Sequence, residues 1–196
     1  PECCSASITA DDAAVFAKWI RRKPFVWDNY PVNDMFPWRP LVAPLKRRSA
    51  DLAGAVSGYI ANPMKQWHVS TIPLSTTAAY LNDPAGYDAA KAIEQAIRSY
   101  PTDQQRAVRL LVGLYGSSFW GEEDFPPQPR PSDRDSAGGM LPKYRALKAM
   151  LSGEPALSRL WEDVKPTLEQ DIATIERRLR DRRVESPLKA SGDDFE

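Results

Sequence analysis

The stretch Trp27-Asp28-Asn29-Tyr30-Pro31-Val32-Asn33-Asp34 gathers two aromatic rings, two amides and two carboxylates into eight residues. Planar acceptors hold sugar hydroxyls through paired hydrogen bonds, and an aromatic face covers the apolar side of a pyranose, so this mixture suits a neutral polyol. A purely structural use is open as well: Trp27 as a core aromatic, with Asn29 and Asp34 in an Asx-turn that stabilises the bend around Pro31. Other chemistries are poorly supplied. His68 is the single histidine, and the two cysteines, Cys3 and Cys4, are adjacent. A histidine-rich metal site, a Ser-His triad built on another histidine and a disulfide framework are therefore all hard to assemble. Two adjacent carboxylate pairs, Asp11-Asp12 and Asp193-Asp194, invite an acid/base reading. The first falls in the opening turn of a predicted helix, where carboxylates complement the helix dipole, and the second lies in a tail without a scaffold, so both are set aside.

The elements that must position the motif follow from local patterns. Thr9 reads as a helix cap ahead of Asp11-Asp12, and Val15, Phe16, Trp19 and Ile20 recur at helical spacing, which predicts a helix with one buried face. Lys23-Pro24 stops it, and Phe25-Val26-Trp27 reads as a short buried strand that delivers the polar side chains at its C-terminal end. From Ser49 onward the pattern is helical throughout. A short helix opens at Ser49-Ala50-Asp51-Leu52, and a longer one follows Asn62-Pro63 to about Leu81 with a kink at Pro73. Another runs from Tyr87-Asp88 through Tyr100. A Thr102/Gln105 capping box introduces a helix holding Ala107, Leu110, Leu111 and Leu114. Residues 122–142, rich in proline and polar side chains, read as an exposed loop, and a helix resumes near Lys143. The final helix repeats Leu157, Leu160, Trp161, Val164, Leu168, Ile172, Ile175 and Leu179, with Pro166 tolerated or bending it. Residues 186–196 read as a disordered tail. No internal repeat is visible.

Composition bounds the partners. Of 196 residues, 42% are hydrophobic, enough for a sizeable core. Lysine plus arginine and aspartate plus glutamate each number 26, so no net field gathers nucleic acid or an anionic membrane, and the apolar runs are too short to span a bilayer. A chain opening at Pro1 rather than Met is expected to be processed or partial.

Two blocks, RRKPFVWDNYPVNDM and SGYIANPMKQWHVSTIPLSTTAAYLNDPAGYDAAKAIEQAI, resemble the end of the catalytic barrel and the start of the helical domain in family 84 glycoside hydrolases. These are the β-N-acetylglucosaminidases that include protein O-GlcNAcases and bacterial enzymes of hyaluronidase type. The resemblance spans residues 9–97. It implies a chain that is mainly α, with the last α/β unit of a (β/α)8 TIM barrel in residues 1–48 and an α-helical bundle domain in residues 49–185. It also implies a retaining, substrate-assisted reaction, with no metal or organic cofactor, in which the 2-acetamido carbonyl attacks the anomeric carbon to give an oxazoline that water opens. The family's acid/base aspartate pair stands on an earlier barrel strand, so no catalytic residue is expected in this chain.

Sugar binding is what the resemblance carries over. Trp27 would wall the acetamide pocket, Asn29 would hydrogen-bond a pyranose hydroxyl, and Asp34 would accept from the C4 and C6 hydroxyls of a terminal N-acetylglucosamine. Asp28 would stand behind them, and Tyr30 and Asn33 would pack and cap the loop. The substrate would be a GlcNAc-containing glycan or glycoprotein, and the chain would pack on the preceding part of the barrel. Ala43-Pro44-Leu45-Lys46-Arg47-Arg48 departs from the glycine-containing turn expected after the barrel. A competing reading is a non-catalytic helical module that binds protein or glycan through Trp120 and the final helix. The arginines at 177, 178, 180, 182 and 183, interspersed with Glu176 and Asp181, read as a solvated helix end.

Overall fold

The computed structural model describes residues 6–34, 37–116 and 137–185. The chain divides into two compact units, Pro1–Pro126 and Pro127–Glu196, and the described residues are mostly helical with one small sheet. No helix among the described residues is long and apolar enough to cross a membrane.

The first unit opens with α1 (Ala10–Ile20), which begins as its sequence demands. Thr9 Oγ1 accepts from the Asp12 amide at 3.1 Å, while the Asp12 carboxylate accepts from the Thr9 amide at 3.0 Å. This reciprocal capping box fixes Asp12 in a structural role. The apolar stripe of α1 is not buried, contrary to expectation: Val15, Phe16 and Trp19 are exposed, Trp19 by 75%, and only Ala13 is buried. Helical periodicity establishes that a face is apolar and says nothing of what lies against it.

Strand β1 (Phe25–Pro31) extends past Trp27 through the motif and ends in a cis Tyr30–Pro31 peptide. It pairs in parallel with β2 (Gly58–Asn62), a strand where helix alone was expected. The run Gly-Tyr-Ile-Ala-Asn has one aromatic and one β-branched residue and no alternation long enough to read, so pairing rather than propensity defines it. The crossover includes the short helix α2 (Leu52–Ala55), as parallel strands require a long connection. Between the two strands, residues 40–45 have no regular secondary structure and are buried. Their backbone groups are met by other elements: Val42 N donates to Tyr115 O, Leu45 N to Thr76 Oγ1, and Leu45 O accepts from the Tyr87 hydroxyl. The departure at 43–48 is resolved by Arg47, which takes the left-handed conformation, φ 57°, that a glycine would ordinarily supply.

Helices α3 (Trp67–Asn82), α4 (Ala89–Arg98) and α5 (Thr102–Tyr115) complete the unit. Asp88 caps α4 by accepting from the Ala90 and Lys91 amides. The expected Thr102/Gln105 box is absent. Pro101 occupies the cap, Thr102 lies inside the helix, and Gln105 instead donates to Tyr100 O at 2.9 Å. The core centres on Leu45, Ile72, Tyr80, Val108, Leu111 and Tyr115.

The second unit pairs α6 (Ala137–Gly153) with α7 (Ser158–Glu185) around a short 3-10 turn, Pro155–Leu157. Tyr144, Leu147 and Leu151 on α6 and Leu160, Val164, Leu168 and Ile175 on α7 are buried. Helix α6 starts six residues before Lys143, with Pro142 inside its second turn, because Met140 is already a buried position. Arg145–Glu176 and Lys148–Glu169 pair the two helices at 2.8 Å.

Candidate functional site

The motif residues assemble at the C-terminal ends of the parallel pair. Register holds from Phe25 opposite Gly58 to Asp28 opposite Ala61, then shifts so that Pro31 stands opposite Asn62. Asn29 and Tyr30 are thereby thrown into a bulge, a device that re-aims side chains at the end of a ladder. The Asn29 Oδ1 accepts from the Trp27 indole Nε1 at 3.0 Å and from Asn62 Nδ2 at 3.1 Å. One carbonyl oxygen thus joins an indole and two amides. Trp27 is 65% exposed, and with Phe25 and Ile60 it forms an apolar sheet face open to solvent.

Behind this face lies a buried charged cluster. Asp28 is 2% exposed and receives a forked pair from Arg48, Nε to Oδ2 at 2.7 Å and Nη2 to Oδ1 at 2.6 Å. The Tyr59 hydroxyl from β2 donates to the same carboxylate. Arg48 Nη1 also donates to the carbonyls of Ala6 and Lys46, so its charge is fully engaged. Burial opposes that charge, but the Asp28 hydrogen bonds and charge prevail and hold the guanidinium above its usual range. Burial first, and the facing carboxylate second, push the Tyr59 hydroxyl far up, which keeps it a donor. Burial likewise raises Tyr30, whose hydroxyl donates to Ala43 O.

Asp34 follows the strand in an exposed turn. The neighbouring Asn33 is 3% exposed and works as a clamp: its amide donates to Arg39 O at 2.8 Å and to Gln66 Oε1 at 2.9 Å. Gln66 Nε2 donates in turn to Pro37 O at 2.7 Å. The turn carrying Asp34 is therefore closed on itself and tied to the start of α3.

Trp27 and Asn29 are thus in direct contact, and Asp34 stands in the adjoining turn. Asp28 is buried and paired with Arg48, while Tyr30 and Asn33 bond to Ala43 and to Arg39 and Gln66. Asp11 and Asp12 belong to the first turn of α1; Cys3, Cys4, Trp120 and Asp193-Asp194 lie outside the described residues. His68 sits half-buried in the first turn of α3. Among the described residues, no group of three His, Cys, Asp or Glu side chains is placed to hold a metal ion. Three contributors were not singled out from sequence: Asn62, Arg48 and Gln66. Asn62 had a readable signal, since Asn-Pro after a Tyr-Ile pair fits a strand end; Arg48 and Gln66 had none, because their partners lie 20 and 33 residues away.

The sequence model of a family described as beta-N-acetylglucosaminidase matches residues 1–113. The curated Protein O-GlcNAcase of Rattus norvegicus is 29% identical over 80 residues, 41% of this chain and 9% of that protein, and that of Mus musculus matches equally. An O-GlcNAc hydrolase of Thermobaculum terrenum superposes with a TM-score of 0.75 at 25% identity, over 97% of this chain and 44% of that one. CpGH84B superposes with a TM-score of 0.76 at 18% identity, over 97% of this chain and 37% of that one. The chain therefore spans less than half the length of the relatives it resembles.

Proposed function

The chain belongs to the beta-N-acetylglucosaminidase family, and from that premise we propose that it forms the closing, sugar-recognising end of a retaining glycosidase acting on terminal β-linked N-acetylglucosamine of glycoproteins or glycans. One observation carries this reading: the Trp27–Asn29–Asn62 cluster, with Asp34 in the next turn, lies at the C-terminal ends of two parallel strands. In barrels of alternating strands and helices, chemistry is assembled on that face.

In this reading β1 and β2 are the last strands of a TIM barrel, so the barrel portion runs on past residue 48 to Asn62, and the remaining helices form the adjoining helical domain. The exposed faces support it. Phe25, Trp27 and Ile60 on the sheet and Val15, Phe16 and Trp19 on α1 are the surfaces that preceding strands and helices would cover. Trp27 lines the acetamide pocket, Asn29 and Asn62 meet sugar oxygens, and Asp34 accepts from the C4 and C6 hydroxyls. Charge-assisted bonds from hydroxyls to a carboxylate discriminate epimers, since a misplaced hydroxyl leaves the acceptor unpaired. The substrate's own acetamide acts as the nucleophile, and the acid/base carboxylates come from strands outside this chain.

The test is Asp34→Ala in the complete enzyme with an aryl β-N-acetylglucosaminide. Loss of a hydrogen-bonded charge contact predicts at least roughly a hundredfold lower kcat/KM. Hydrolysis at the parental rate would refute the assignment.

A further inference from the structure

Asp28 is the last residue of β1 in register before the bulge, and two side chains from different segments converge on its carboxylate. Arg48 reaches it from the segment after residues 40–45, Tyr59 from β2, and Arg48 itself is held by the carbonyls of Ala6 and Lys46. A parallel bridge between Ile8 and Arg48 fixes the arginine's backbone as well. The forked contact matters physically, because two parallel N–H···O bonds fix both the position and the plane of the carboxylate. A strand pair is free to slip where its ladder breaks, and here the break begins one residue beyond Asp28. The first residue in that break is Asn29, the acceptor shared by Trp27 and Asn62.

We propose that Arg48 is a positioning residue of this site: through Asp28 it pins the strand where the bulge begins, and so sets Asn29 against Trp27 and Asn62. Arg48 touches no sugar in this scheme and lies on the opposite side of β1 from Trp27. Its consequence for sugar binding rests on the function proposed above; its consequence for the geometry does not. The cluster is more than a fold-stabilising pair, because a buried ion pair can be exchanged for apolar residues of similar volume with little loss of stability, whereas nothing apolar can orient Asp28.

That difference supplies the experiment, made on the full chain by amide and indole NMR. The triple variant Asp28→Leu/Arg48→Met/Tyr59→Phe removes both charges and the hydroxyl together, so no buried charge is left unpaired, and only the part-buried carbonyls of Ala6 and Lys46 lose a donor. Arg48→Lys keeps the charge but cannot form the fork, and it carries the test if the triple variant does not fold. In either folded variant the Trp27 Nε1–H and Asn62 Nδ2–H signals should move toward solvated positions and exchange roughly tenfold faster, as expected for loss of one hydrogen bond each. Parental shifts and protection in a folded variant would overturn the proposal. Titrating the parent with N-acetylglucosamine on the same signals separates the two claims: no response would count against the sugar reading, while the ligand-free spectra alone decide the role of Arg48.

Discussion

Replacing Gln66 tests whether the turn that carries Asp34 is held by distant contacts or by its own sequence. Gln66→Ala removes two hydrogen bonds, Asn33 Nδ2 to Gln66 Oε1 at 2.9 Å and Gln66 Nε2 to Pro37 O at 2.7 Å. The first loss leaves an amide hydrogen of Asn33, a residue only 3% exposed, without its partner, at about 1–3 kcal/mol. The second exposes a carbonyl already near water and costs about 0.5–1.5 kcal/mol. Gln66 is itself half-exposed, so water enters the vacated space and the sum falls toward the low end, about 2 kcal/mol. At a urea dependence of about 2 kcal/mol per molar, the unfolding midpoint drops by about 1 M. Gln66→Met, of similar length, should reproduce most of the loss and so separate hydrogen bonding from packing. Native-state hydrogen exchange should localise the change to residues 33–39, with the helices α4 and α5 unaffected. If Gln66→Met unfolds within about 0.5 kcal/mol of the parent, the range of an inconsequential surface change, and residues 33–39 exchange as before, the clamp does not hold the turn.

Three further outcomes follow from the same structure. Thr9→Ala removes the capping box of α1 and should cost about 1 kcal/mol in chemical denaturation, with fraying of the first turn seen by exchange. Hydrogen bonding to Arg109, and then to Arg98, lowers the Glu94 carboxyl from 4.5 to about 2. A depressed folded-state value means that its contribution is complete above about pH 4.5 and disappears as pH falls toward 2; stability profiles of the parent and Glu94→Gln should therefore converge across that window, and added salt should narrow the gap. Phe16→Lys with Trp19→Lys replaces two exposed aromatics on α1 and should reduce concentration-dependent association in sedimentation equilibrium without lowering the unfolding midpoint; unchanged association would show that this face is not the adhesive one.

Local chemistry was legible where cause and effect lie within a few residues. The Thr9/Asp12 cap, the Asp88 cap and the strand beginning at Phe25 each follow from neighbours in the chain. Even there a single competitor overturned one reading: Pro101 took the cap position, and Gln105 turned back to Tyr100 O. The left-handed Arg47 has no such local signature. Its conformation is imposed by a buried run on one side and the Arg48–Asp28 fork on the other, which together outweigh the roughly 1–2 kcal/mol that a side chain costs there.

By itself, then, the sequence determined the chemical content of the site: an indole, amides and carboxylates at a strand's end, in a pattern resembling one glycosidase family. Tertiary structure alone decided which of them meet. Asn62 reaches Asn29 across 33 residues, Arg48 reaches Asp28 across 20, and Gln66 closes the Asp34 turn across 33. Those encounters exist because a weak five-residue segment, Gly58–Asn62, is captured by β1. Capture depends on the backbone hydrogen bonds and buried carboxylate that β1 offers, which no window of sequence around β2 contains.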